Sequence, residues 1–454
     1  MKRTIVILLV LALAVIAAAC SPASAPAPTA APPTAAPQAT TAAPTTAPTS
    51  APAAKTVELQ FWHGQSQTQE KALNALIAKF NASHPGIKVT GTFQGGYSDL
   101  YKKVTAAIAA GSPPDLAIGY QNDIANYINS DAVVPLDDYM KDPKIGFTAD
   151  DLKDISPSFI DKYPQFGNKV YSLAFMRSME VMFYNADMLK AAGFDKPPAT
   201  WDDFMKACAA ASKPPDVVCY EMPGSGAAST FSYMVWTRGG ELMSADGKSF
   251  TFDQKAGLDA MTMLSDMFTK KYAILQAKAY QDQTDFSLGK VLFTFGSTAG
   301  LPYYKSAIKD AGDKVKNWGI AVPPHNTPNP IVDVYGPSVA VFKTNAEKQQ
   351  AAFVFIKWLM GNDPSAEWVK ASAYFPPRAS TKTALADYIK ANPMYGEALG
   401  WVQYGRVEPT FYAAWNPARN YIGDAMVAVA NGKATPEQAL KDAVQKANAA
   451  LAGK

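Results

Sequence analysis

Between Val57 and Ile124 strand-like and helix-like segments alternate in an order that few folds accommodate. The run Val57-Glu58-Leu59-Gln60-Phe61-Trp62 alternates and is rich in β-formers, so it is read as a strand. Ala72, Leu73, Leu76, Ile77 and Phe80 recur at helical spacing and predict a helix over 70–81, which Pro85-Gly86 stops. A second strand is expected over 87–93 and a second helix over 100–110, closed by Gly111-Ser112-Pro113-Pro114. Leu116 to Tyr120 is short and apolar, as a strand covered on both faces should be. Strand and helix in alternation predict an α/β fold, with a parallel sheet and helices on both of its faces.

In such a sheet a ligand would lie at the carboxyl ends of the strands. Those ends carry Trp62-His63-Gly64-Gln65, Gly95-Gly96-Tyr97 and Tyr120-Gln121-Asn122-Asp123. Neither G-x-G-x-x-G nor a P-loop follows any of them, so a nucleotide or other cofactor is not expected. Aromatic faces beside amides suit stacking on sugar rings and bonding to hydroxyls. Trp62, His63, Gln65, Tyr97, Tyr120 and Gln121 are therefore candidate ligand contacts. The structural alternative puts Trp62 in the core, His63 at the cap of the next helix and Asn122 at an N-cap.

The N-terminus reads as a targeting signal over 1–19: Lys2-Arg3 precede an apolar run from Ile5 to Ala19, and small residues lead to Cys20. Ala17-Ala18-Ala19-Cys20 resembles a bacterial lipobox, with Ala17 where a larger aliphatic residue is usual, so Cys20 is the expected acyl anchor to a lipid bilayer. Residues 20–55 are nearly all Ala, Pro, Thr and Ser and cannot bury a core, so they are expected to form a disordered tether. Stretched at about 3.1 Å per residue, it would reach about 100 Å. The 454-residue chain has a net charge of +3, and loss of Lys2 and Arg3 would leave +1. This balance argues against a nucleic-acid partner. Beyond Cys20, only Cys208 and Cys219 remain, and in an oxidising exterior their simplest reading is a disulfide. Two buried thiols or a metal site are the alternatives, and no histidine lies near to make the second.

Farther along, helices are expected over 152–163, 201–211, 253–270 and 346–360, and strands over 170–175, 181–184, 289–297, 318–322 and 332–341. Thr200 with Asp203 forms an N-capping pair for the second of those helices. The methionines of 261–267 and Trp236, Trp318, Trp358 and Trp368 are read as packing residues. Helices over 416–430 and 436–451 are expected to close the chain.

In this order several motifs accumulate: Phe61-Trp62-His63, Asn81-Ala82-Ser83-His84-Pro85-Gly86, Gly111-Ser112-Pro113-Pro114-Asp115, Val181-Met182-Phe183-Tyr184-Asn185, Thr200-Trp201-Asp202-Asp203, Gly289-Lys290 before Phe295-Gly296-Ser297, Tyr374-Phe375-Pro376, and Gly432-Lys433-Ala434-Thr435-Pro436. Together they resemble the extracellular solute-binding lipoproteins of bacterial ABC importers, in the carbohydrate group that includes maltose-binding and glycerol-3-phosphate-binding proteins. The resemblance covers almost all of 56–454. It implies a two-lobed periplasmic-binding-protein-like fold of type II, with the ligand in a cleft between lobes joined by a multi-crossing hinge. Lobe one would comprise 56–136 plus 321–363, and lobe two 137–320 plus 364–454. It further implies a monomer that closes on a small carbohydrate and is read by ABC permease subunits.

Arg177, Ser178, Ser297, Tyr335, Gly336, Tyr374, Trp415 and Arg419 fall in segments that line the cleft in such proteins. For Arg177 an ion pair between the lobes is the competing reading. Glycerol-3-phosphate binders of this group carry an arginine for the phosphate shortly before the final helices, where this chain has Phe411 or Tyr412. Arg177, Arg378 and Arg419 are what remains for such a role, so a neutral sugar or polyol is expected. No catalytic set stands out: His63, His84 and His325 are scattered, and neither H-E-x-x-H nor G-x-S-x-G is present. A carbohydrate-active hydrolase using two carboxylates is the rival from another class, because such pairs have no fixed spacing. A sensor that presents its bound ligand to a receptor is a third.

Overall fold

The computed structural model describes residues 56–453, apart from Ala279 and the side chain of Ser225. The expected signal over 1–19, the acylated Cys20 and the tether over 20–55 lie outside the described residues. Among the described residues thirteen strands are present in chain order: β1 (Val57–His63), β2 (Ile87–Phe93), β3 (Leu116–Gly119), β4 (Ile160–Tyr163), β5 (Lys169–Leu173), β6 (Ser178–Asn185), β7 (Val218–Met222), β8 (Ala273–Leu275), β9 (Val291–Ser297), β10 (Trp318–Ala321), β11 (Val332–Tyr335), β12 (Ser338–Val341) and β13 (Gly405–Arg406). They form two sheets.

The first sheet runs β2-β1-β3-β12-β5-β4. Its first three strands are parallel, with Val57 opposite Ile87 and Phe61 opposite Leu116, as the alternation predicted. Helix α1 (Gln67–Ser83) covers it with Leu73, Leu76, Ile77 and Phe80, all buried. Each such side chain contributes about 1.5–3 kcal/mol relative to exposure. The returning helix Ala346–Leu359 adds Phe355, whose ring lies 5.5 Å from that of Phe61 and 4.9 Å from that of Phe80.

Beyond β3 the sheet turns antiparallel: β12 pairs with both β3 and β5, and β4 with β5. The sheet is therefore mixed rather than parallel throughout. The helix expected over 152–163 is shorter, Ala149–Asp154, capped by Thr148 and Asp151, and its remainder becomes β4. The single strand expected over 332–341 breaks at Gly336-Pro337 into β11 and β12, one in each sheet.

The second sheet runs β13-β11-β6-β9-β7-β8, with β10 also pairing with β6. Strand membership departs from the boundary at 136, since β4 and β5 join the first sheet; β11, from within 321–363, joins the second. Cys208, at the end of the helix Trp201–Ala211, and Cys219, in β7, form a disulfide. Thr200 caps that helix, accepting from the Asp203 backbone N–H at 3.2 Å. Among the described residues no helix is long and apolar enough to cross a membrane.

The chain passes from β5 to β6 through Ala174–Arg177 and from β11 to β12 through Gly336-Pro337. Gly336 sits at φ +146°, where a Cβ would meet the carbonyl oxygen of Met176 at 3.2 Å and Cα of Arg177 at 3.4 Å. Glycine is what lets these two crossing segments approach.

Candidate functional site

Helices α2 (Tyr97–Ala109) and α3 (Gln121–Asn129) begin at the carboxyl ends of β2 and β3. Their first turns face residues of the second sheet and of the helix Trp415–Ala430 across a cavity of about 680 Å³. From the first sheet come Tyr97, Tyr120, Gln121 and Asp123; from the other side come Glu180, Ser229, Tyr335, Glu408 and Arg419. A second hollow of about 580 Å³ shares Tyr120, Gly226 and Tyr335 with the first and adds Ser178, Ser297, Gly336, Tyr374 and Asp282. Both volumes suit a small organic ligand.

Of the sequence candidates, Tyr97, Tyr120, Gln121, Ser178, Ser297, Tyr335, Gly336, Tyr374 and Arg419 thus line these hollows. The Tyr97 and Tyr120 rings meet edge to face at 5.1 Å. Gln65, buried, donates from Nε2 to the Tyr97 hydroxyl at 2.8 Å, so it positions that ring from behind. Gln121 reaches back to the crossing segments, donating to the Gly336 carbonyl at 3.2 Å and to Asp161 Oδ2 at 3.3 Å. Ser297 accepts from the Ala299 backbone N–H at 3.1 Å, which fixes its hydroxyl at the end of β9.

Besides Gln65, four candidates do not line the hollows. His63 shares the face of β1 that carries Leu59 and Phe61, so it is buried between Phe61 and Phe93, and that burial lowers its pKa. It neither caps a helix nor lines the cavity. Trp62, on the opposite face, packs against the first core. Trp415 is fully buried against Phe250 and donates from Nε1 to Glu408 Oε2 at 3.0 Å, so it holds a cavity residue without lining the cavity.

Arg177 is 1% exposed, and its guanidinium is consumed by the crossings. Nε donates to the Ser158 carbonyl at 3.0 Å, Nη1 to the carbonyls of Gly336 and Pro337, and Nη2 to Ser338 Oγ at 3.0 Å. An ion pair of 2.8 Å to Asp161 completes the set. Arg177 is in an ion pair, but not one between the expected lobes: its partner Asp161 also falls within 137–320. Arg378 is likewise engaged, by Asp151 at 2.7 Å and by Asp154.

Sequence reasoning overlooked the acidic lining. Glu180 stands in β6, whose other residues are buried apart from the half-buried Tyr184; Asp333, buried behind the lining, stands between Val332 and Val334 in β11. A lone acid within an apolar strand was the available signal. Glu408 follows Val407 and precedes Pro409 and gives no such sign. Burial pushes the Glu180 carboxyl up to about 7, with Glu408 adding to the rise while Thr230 and Arg419 oppose it. Burial, then Glu408 and Glu180, hold Asp333 well above the usual carboxylate range. Burial raises Asp123 to about 6. Arg419 interacts with Glu180, Asp333 and Glu408 together: burial pulls its pKa down, and the three carboxylates more than offset this. Its guanidinium donates to Glu408 Oε2 and, at 2.9 Å, to Ser229 Oγ. Among the described residues no three His, Cys, Asp or Glu side chains are grouped so as to hold a metal ion.

Comparison with known proteins agrees with this architecture. The chain is 28% identical over 382 residues to a binding protein of Brucella abortus, spanning 82% of this chain and 88% of that one. It is 24% identical over 428 residues to the sn-glycerol-3-phosphate-binding periplasmic protein UgpB of Pectobacterium atrosepticum, spanning 88% and 92% respectively. Its fold is similar to that of the cyclic alpha-maltosyl-1,6-maltose binding protein from Arthrobacter globiformis, with a TM-score of 0.75 at 21% identity over 88% of this chain and 100% of that one. That is a two-lobed α/β fold of the type II binding-protein kind. Residues 64–366 match the family of bacterial extracellular solute-binding proteins, and the chain belongs to that family.

Proposed function

We propose that this protein captures a sugar or polyol without a phosphate group and delivers it to the permease of an ABC importer. The carrying observation is the lining of the larger cavity. Tyrosine rings that can stack on sugar faces stand beside carboxylates and amides that can accept and donate to hydroxyls. The names of relatives span maltose-type sugars and sn-glycerol 3-phosphate, and the charges favour the first. Asp123, Glu180 and Glu408 outnumber Lys102 and Arg419 in this cavity, and Arg419 already donates to Glu408. A phosphate would need free charge-assisted donors and would meet net repulsion.

Tyr97, Tyr120, Gln121, Ser178, Ser297, Tyr335, Gly336, Tyr374 and Arg419 are the proposed contacts, with Glu180, Asp123 and Glu408 added. The two sheets support a division into two lobes, with proposed crossings at 174–177 and 336–337. The protein acts as a monomer tethered through acylated Cys20, and ligand bound in the cleft is released chemically unchanged. A thermal-shift screen across sugars, polyols and sn-glycerol 3-phosphate tests this reading, because a ligand that binds only the folded state raises its apparent stability. A shift with one or more sugars or polyols, recovered intact, is expected. A shift with sn-glycerol 3-phosphate alone, or hydrolysis of a bound oligosaccharide, refutes it.

A further inference from the structure

The charge of the cavity narrows the ligand further, and this step rests on the sugar-binding reading above. Glu180, from β6, and Glu408, from the segment before the helix Trp415–Ala430, line one cavity; Asp333 is buried in β11, and Arg419 interacts with all three. Glu408 is 3% exposed, lines the cavity, and gives Oε2 to Trp415 and Arg419. Its Oε1 has no hydrogen-bond partner. A buried carboxylate oxygen with no partner, in a residue that lines a cavity, is costly to the empty protein, and the cost is relieved if the side chain turns to a donor that enters with the ligand. Glu180 lies in the same wall, its Oε1 held by Thr230 Oγ1 at 2.9 Å. The second hollow continues the pattern: Asp282 lines it, and neither lysine nor arginine does.

We propose that the ligand carries a protonated amine, as an amino sugar or an oligosaccharide containing one, and that its ammonium group is seated against Glu180 and Glu408. An ammonium supplies three donors and one positive charge, so it can satisfy Glu408 Oε1 and offset the charge of Glu180, which Arg419, already paired with Glu408, leaves unanswered. A hydroxyl satisfies the oxygen without offsetting the charge. Tyr335 and Tyr120 line the same space, and tyrosine rings favour a cation as well as the sugar carbons around it. A bare metal ion fits less well, because the carboxylates do not converge as a ligand set.

Calorimetric titration of the purified protein at pH 7.5 tests the inference. The probes are glucosamine and chitosan disaccharide, each against its hydroxyl counterpart, glucose and cellobiose, and its acetamido counterpart, N-acetylglucosamine and diacetylchitobiose. A charge-assisted hydrogen bond in place of a neutral one predicts that an amine compound binds about 10- to 100-fold tighter than both counterparts. Glu180→Gln should shrink that ratio to about twofold or less, even if all affinities fall together. A hydroxyl or acetamido compound that binds as tightly as its amine overturns the inference and leaves the sugar reading standing. Binding of none of the six also overturns it, while the wider sugar and polyol screen decides the sugar reading separately. Response to sn-glycerol 3-phosphate alone overturns both.

Discussion

Replacing Arg177 by methionine should unsettle the crossing segments before it alters anything in the cavity. The guanidinium makes five hydrogen bonds, to Ser158, Gly336, Pro337, Ser338 and Asp161, and the Asp161 pair is buried, with the two side chains 1% and 2% exposed. Removing one partner of a buried pair costs about 3–5 kcal/mol. Asp161 would keep donors from Ser172, Gln121 and Ser338, which places the expected loss near the lower end, about 3 kcal/mol. Urea denaturation of the wild type, Arg177→Met, Asp161→Asn and the double variant measures it. The double variant should be more stable than the sum of the two single losses implies, because it leaves no unpaired charge behind. The exposed pair Lys153–Asp150 is the control, and breaking it should leave the midpoint unchanged. A loss below about 1 kcal/mol in Arg177→Met, together with loss of ligand-induced stabilisation, would refute the argument and return Arg177 to the ligand contacts.

Three further outcomes follow from the same structure. Glu180 faces Thr230, Glu408, Arg419, Asp333 and Tyr220, and its folded pKa stands at about 7 against 4.5. The folded protein therefore keeps a proton that the unfolded chain releases above 4.5, so stability falls as pH rises from about 4.5 to about 7, by about 3 kcal/mol. Denaturation midpoints between pH 5 and 8 should show a shallower fall in Glu180→Gln, and identical slopes would contradict the assignment. Replacing both Cys208 and Cys219 by serine opens a short loop and should cost about 2–3 kcal/mol, read by denaturation with and without reductant. Gly336→Ala forces a side chain into φ +146° against Met176 and should lower stability by about 1–3 kcal/mol, and an unchanged Tm would count against the close approach.

The segment Val57 to Ile124 was legible because its apolar residues repeat at two clear periods, and its three strands and two helices form where those periods place them. The fate of His63 was legible too, though not read: it shares parity with Leu59 and Phe61, and a strand sends alternate residues to one face. The break of 332–341 into two strands could not be read from local preference. Val332-Asp333-Val334-Tyr335 and Ser338-Val339-Ala340-Val341 both favour strand, and only their partners, β6 and β3, decide the sheet each enters. The carboxylate group was hidden for a similar reason. Glu180, Asp333 and Glu408 are far apart in the chain and interact only through the fold, so no spacing rule reports them.

The position of β12 sets an order on folding as the chain is made. It is the strand between β3 and β5, so β1–β3 and β4–β5 remain two separate pieces until it arrives. About 165 residues separate the end of β5 from the start of β12, and most of the second sheet lies within them. At synthesis rates of about 5–20 residues per second that interval is about 8–33 s. Throughout it the edges of β3 and β5 stand open, each a template on which a foreign strand could pair. A nascent chain of this design has reason to be kept from folding until β12 is available, and its first sheet cannot close before β6 to β11 have been made.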